Sequence, residues 1–293
     1  KRVEFVILLR RLFLFIFSIN FLYCCGMKKI LFILLLLPLL VFSQDNYQKN
    51  SHVDIRLKEI RNKYKVYYTF KDHFDKIHNK SFVFKKEILD QAISKLGIPD
   101  SMYDRYIINP ENLIRRELIL KEGLYRKRGD KLDRDYNAII NYYRDYFKPI
   151  STYLIKLLEK QNKDNRINRI EITMKFIQDI PYGIPEESYS DKHDDGCFSP
   201  PEVLLKGYGD CDSKSFLFVC ILSHMINPSD IIFVEGKNHL LSAVRYNSVA
   251  GGKYFTHNER KYYICETAGP GRPLFGKKST SLGSCSVYPL LVK

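Results

Sequence analysis

The chain has 293 residues, with 47 Lys and Arg against 33 Asp and Glu and a formal net charge of +14. Its 45% apolar and 14% aromatic content excludes a low-hydrophobicity disordered chain, and the length suits one or two domains. An excess of positive charge suits anionic envelope polymers or lipid headgroups, but basic and acidic residues are interleaved along the sequence, which is more often the pattern of a solvated surface.

In chain order, the first readable element is Met27-Lys-Lys-Ile-Leu-Phe followed by the apolar run to Phe42 and Ser43. A short basic start, an apolar stretch and a cut after Ser43 form the pattern of a secretory signal over residues 27–43. Met27 is then the start of the made protein, and residues 1–26 are an upstream extension, with a first membrane segment as the alternative. Cys24 and Cys25 lack the small residue that precedes a lipidated cysteine. The protein is expected to be exported, periplasmic or secreted, with no nucleic-acid partner, and to meet the membrane only through this hydrophobic segment where it stays uncleaved.

Residues 44–163 read as a mainly helical region. Asn62–Phe70 alternates like a strand; Phe82–Leu96 and Pro110–Tyr125 read as helices, and Lys131–Lys160 as one or two more. Gly97-Ile-Pro-Asp100 is a break. Asn79-Lys-Ser81 has the Asn-x-Ser glycosylation pattern, a triplet too common to carry weight.

Ile167, Ile170, Met174 and Ile177 recur at helical spacing, so a packed helix opens a second region, residues 164–293. Asp191-Lys-His-Asp-Asp-Gly196 alternates like a calcium loop, but His193 stands where an oxygen ligand is needed, and the run reads as a solvated loop. The most informative stretch is Gly207–Leu222. It places Cys211 where a glycine-bearing loop becomes an apolar helix, whose free N–H groups and dipole push a thiol toward thiolate. Strands are expected near 231–235, 239–246 and 261–267. Alternation puts His239, Leu241 and Ala243 on one face, aimed at the packed helix, and sets Glu266 beside Ile264, where it can accept from the imidazole.

These segments together resemble the transglutaminase-like superfamily, whose fold belongs with the papain-like cysteine hydrolases. The likeness rests on Phe176-Ile-Gln-Asp-Ile-Pro-Tyr182, the approach Ser199–Cys211, the histidine strand Asn238–Val244 and the acidic strand Tyr263–Ala268. Glu266 stands where many members carry Asp. The chain has no Trp, so the aromatic that crosslinking transglutaminases place near the thiol is missing, and an animal-type crosslinker is not implied.

The resemblance implies an α+β fold with a papain-like core: a buried nucleophile helix on a small antiparallel sheet. It also implies acyl transfer by a Cys211–His239–Glu266 triad through a thioester. Gln178 and Tyr182 are candidate oxyanion donors with the Cys211 backbone N–H. Water as acceptor makes a peptidase or amidase, the preferred reading; a lysine amine makes a transglutaminase; a non-catalytic envelope binding or assembly module is the third possibility. The expected substrate is a peptide or protein, cell-envelope peptides included. No cofactor motif is present. Cys197, Cys220, Cys265 and Cys285 lack the paired spacing of a zinc site, and the five cysteines beyond residue 43 leave at least one thiol unpaired, Cys211 being the natural candidate.

Overall fold

The computed structural model describes residues 49–98, 110–129, 131–185, 197–237, 239–268, 271–277 and 284–292. The signal-like segment, the extension before it and the calcium-like run 191–196 lie outside the described residues.

Strands β1 (Asp54–Ile60), β2 (Lys63–Lys71) and β3 (Ile77–Lys85) form an antiparallel meander in the order β1-β2-β3. Val66, Tyr68 and Phe70 of β2 and Phe82 and Phe84 of β3 point inward at every second position. The turn between β2 and β3 is built by Asp72, whose Oδ1 accepts from the amides of Phe74 and Lys76 while Oδ2 meets His78 Nε2 at 2.7 Å.

Phe82–Leu96 is therefore not one helix. Period-two burial holds to Lys85, and only then does helix α1 (Lys86–Ile93) begin, burying Leu89 and Ala92. Together with the hairpin of β4 (Tyr125–Arg128) and β5 (Lys131–Arg134), this makes the amino-terminal half a mixture of sheet and helix rather than a mainly helical region. Helix α2 (Pro110–Glu122) precedes the hairpin.

Lys131–Lys160 divides into β5, helix α3 (Tyr136–Tyr143), a short 3-10 turn (Arg144–Phe147) and helix α4 (Lys148–Lys160). Asp135 starts α3 by accepting the Ala138 amide at 3.0 Å, the ordinary work of an acidic N-cap.

Helix α5 (Arg166–Gln178) is capped by Asn165. Its Phe176 ring lies 4.8 Å from Tyr68 and 5.1 Å from Phe70, centroid to centroid, and Tyr68 Oη donates to Phe176 O at 2.6 Å. The meander and the carboxy-terminal half thus share one apolar core, and residues Tyr47–Lys293 form one compact unit.

Helix α6 (Pro200–Lys206) starts with a capping box between Ser199 and Glu202 and ends at Gly207. Gly207 has φ +75°, a left-handed cap conformation that costs a glycine little. Helix α7 (Cys211–Leu222) follows after three residues and is buried on all sides from Ser213 onward. It packs on a five-stranded sheet of order β10-β6-β7-β9-β8, made of β6 (Ile231–Gly236), β7 (His239–Arg245), β8 (Tyr254–His257), β9 (Arg260–Cys265) and β10 (Ser286–Pro289), with every pair antiparallel. Separate antiparallel sheets with helices packed on them make an α+β architecture. Among the described residues no helix is long and apolar enough to cross a membrane.

Candidate active site

Four chain segments converge at the amino end of α7. Asp210 caps the helix, its Oδ1 accepting the Ser213 amide at 3.0 Å and the Ser213 hydroxyl. Ser213 Oγ in turn accepts the Phe198 amide at 2.8 Å, which ties the segment leading into α6 to the start of α7. The segment after α5 arrives as an extended bridge: Tyr182 pairs with Gly209, with Gly209 N–H on Pro181 O and Gly183 N–H on Gly209 O, each at 3.2 Å. A Cβ at Gly183 would sit 2.5 Å from the Tyr208 ring, so this close approach requires glycine.

The fourth segment is β7. Ser215 Oγ donates to Leu240 O at 3.1 Å, and the Leu240 backbone N–H favours the Cys211 thiolate, so His239 is the chain neighbour of a group that acts on the thiol. His239 Nε2 is 3.1 Å from Glu266 Oε2. An ionised carboxylate only accepts, so Nε2 carries the hydrogen and Nδ1 is left as the basic nitrogen. Glu266 is itself held: its Oε1 accepts the Ala268 amide at 3.2 Å, and it is 8% exposed.

The face assignment of His239 needs correction. Leu241 and Ala243, which share its side of β7, pack in a small second cluster with Ile232, Val234, Tyr262 and Ile264. The helix-facing positions are Leu240 and Val244, in the main core with α7. His239 is the first residue of β7 and lies on the face away from the helix layer.

The thiol also departs from expectation. Cys211 Sγ donates to Asp212 Oδ1 at 3.2 Å, and no hydrogen bond joins it to His239 among the described residues. Burial, followed by the charges of Asp212 and Asp210, pushes the thiol well above its ordinary range; the Leu240 amide opposes them. Helix-start position alone predicts the opposite; burial, with the two flanking carboxylates, overturns it. Asp212 Oδ2 is paired with Arg134 Nη1 at 2.6 Å, so β5 supplies a cation to the site. Burial and Asp212 likewise raise the Asp210 carboxyl.

The two oxyanion candidates separate. Gln178 Nε2 donates to Glu266 O at 2.8 Å and to Pro273 O at 2.9 Å, which commits both amide hydrogens; Gln178 positions the acidic strand and has nothing left to offer an oxyanion. The Tyr182 phenol is raised to about 12, first by burial and then by Cys211, Asp210 and Asp212, so it stays protonated at neutral pH, and its backbone is bridged to Gly209, two residues before Cys211.

Arg134, Asp212 and Lys214 were not among the site residues named from sequence. Lys214, fully buried one turn after Cys211, donates to Ile180 O at 2.6 Å and is pushed down to about 7, mainly by burial. It pins the segment that carries Tyr182. A lysine inside an otherwise apolar helix was the signal available. Asp210, Cys211 and Asp212 place three possible metal-ligand atoms within 4.8 Å of one another, but Ser213 and Arg134 already engage the two carboxylates. Glu202, twelfth counting from Asp191, is spent on Ser199, whose amide and hydroxyl it accepts at 3.0 and 2.9 Å. Cys211, Cys220, Cys265 and Cys285 are free thiols.

No family model matches the chain, and neither a curated protein nor a solved structure is significantly similar to it.

Proposed function

We propose that the protein is an exported cysteine acyl-transfer enzyme with a papain-like, transglutaminase-like core, acting on amide bonds of peptides or proteins. The observation that carries the reading is the His239–Glu266 hydrogen bond at the start of β7, next to Leu240, whose carbonyl accepts from Ser215 of the helix that Cys211 opens. In the reaction His239 Nδ1 takes the Cys211 proton, and the sulfur attacks the substrate carbonyl. Collapse of the tetrahedral species expels the amine, which takes the proton from His239, and leaves a thioester. Water, deprotonated by the same imidazole, releases the acid and restores the thiol. Glu266 holds the ring and favours imidazolium; Tyr182, protonated at neutral pH, is the remaining side-chain candidate for donation to the oxyanion.

The resting thiol is neutral and bonded to Asp212, so it must turn from Asp212 to His239 for this chemistry. That contact favours a second reading, a binding module that keeps the constellation without turnover. Incubation with a cell-wall peptide digest, followed by mass spectrometry, separates the two. Cleavage by wild type is expected, with loss of turnover in Cys211→Ala, near-loss in His239→Ala, and a reduction on the order of tens to thousands of fold in Glu266→Gln. Undiminished cleavage by Cys211→Ala would exclude the nucleophile; tight retention of a peptide without cleavage would favour the binding module.

A further inference from the structure

The lysines that look scattered in sequence are gathered by the amino-terminal meander. The inward face of β1-β2-β3 carries Val66, Tyr68, Phe70, Phe82 and Phe84 into the core. Strand alternation turns Arg56, Lys58, Lys63, Lys65, Lys71 and Lys85 to the other face, with Asp54 as the one acid among the strand residues there. Asp54 pairs with Arg56 and the turn residue Asp75 with Lys71; Lys58, Lys63, Lys65 and Lys85 have no carboxylate partner among the described residues.

The register places an exposed apolar side chain opposite a lysine at three points: Ile60 against Lys63, Val83 against Lys65, and Ile77 against Lys71. At the centre, Tyr67 is approached by Lys65, Lys58 and Arg56, with the cations 4.9, 5.7 and 5.9 Å from its ring. Charged residues on edge strands are a common guard against strand pairing, but that accounts for β1 and β3 and not for the lysines of the central strand. No described segment covers this face.

We propose that this outer face is a docking surface for an anionic lipid bilayer. Its flat mixture of uncompensated lysines with Ile60, Ile77 and Val83 suits a headgroup region, where short apolar side chains enter and ammonium groups meet phosphates. A bilayer is favoured over a soluble acidic polymer by those exposed apolar residues, which a polyanion would leave unsatisfied. The proposal is independent of the chemistry at Cys211.

The test is co-sedimentation of the full chain with phosphatidylcholine vesicles, with and without about one-third phosphatidylglycerol. The apolar amino-terminal run can enter both kinds of vesicle, so the anionic-to-neutral partition ratio reads the charged face. The triple variant Lys58→Glu, Lys63→Glu, Lys85→Glu should lower that ratio at least about a hundredfold at low salt, since each lysine near such a surface contributes roughly fivefold. High salt should erase the difference. Lys121→Glu, Lys156→Glu, Lys160→Glu changes net charge equally on exposed positions elsewhere and should leave most of the ratio intact. Should the acidic triple not fold, as read by circular dichroism, glutamines at the same three positions replace it, with a smaller drop expected. An unchanged ratio in the meander variant, or an equal drop in both variants, would overturn the proposal. So would lysine-dependent binding to soluble polyglutamate without vesicle binding, which would assign the face to an acidic polymer.

Discussion

At the scale of single residues, the site is governed by charge next to sulfur. A helix amino terminus stabilises a thiolate by a modest amount, whereas burial and two carboxylates flanking Cys211 all oppose it. Sequence shows Asp210 and Asp212 beside the cysteine, but not that Asp212 turns its oxygen to the sulfur, nor that Arg134 arrives from another strand to hold it. Asp212→Asn removes one of the two carboxylate charges that flank the sulfur. The thiol should then ionise at lower pH, and alkylation of Cys211 at pH 8 should become roughly tenfold faster for each pH unit by which its midpoint falls. A midpoint that stays put would mean that Asp212 does not set the thiol's acidity.

At the scale of elements, regularity was readable and its interruptions were not. The period-two pattern of Asn62–Phe70 and the apolar character of Phe216–Leu222 mark β2 and α7 directly. Phe82–Leu96 misled because a strand and a helix abut at Lys85 without a glycine or proline between them. His239 opens β7 and Glu266 directly follows β9, the neighbouring strand, so alternation along the two runs brought the pair out, whereas the role of Gln178 depended on a tertiary contact with the Glu266 carbonyl.

Lys214 links two such elements, α7 and the Ile180–Tyr182 segment, and it makes stability depend on pH. Its ammonium is held down from an ordinary 10.5 to about 7, so between these values the unfolded chain binds the extra proton and stability rises with pH. Wild type should gain about 2–3 kcal/mol from this group between pH 7 and 9.5, and Lys214→Met should lack that increment in urea denaturation. Parallel pH profiles of the two proteins would contradict the buried, uncharged amine.

For the whole molecule, the line drawn between residues 163 and 164 from sequence does not fall at a break in packing. Phe176 of α5 touches Tyr68 and Phe70 of β2 and Phe82 of β3, and Arg272 from the carboxy-terminal loop binds both Asp179 and the Lys71 carbonyl. Such long-range contacts leave no periodic trace in sequence. Phe176→Ala should therefore weaken both halves together, costing about 3–5 kcal/mol in one cooperative transition. Loss of the meander alone, with the five-stranded sheet still protected from hydrogen exchange, would show that the halves unfold separately.

The central claim is that His239 activates Cys211, and alkylation kinetics test it without a known substrate. Wild type and His239→Ala are treated with iodoacetamide at pH 7, and Cys211 and Cys285 are followed by peptide mapping. The account predicts that removing the imidazole slows Cys211 at least about tenfold, on the low side of general-base effects, while Cys285 is unchanged. Equal rates at Cys211 in the two proteins would contradict it.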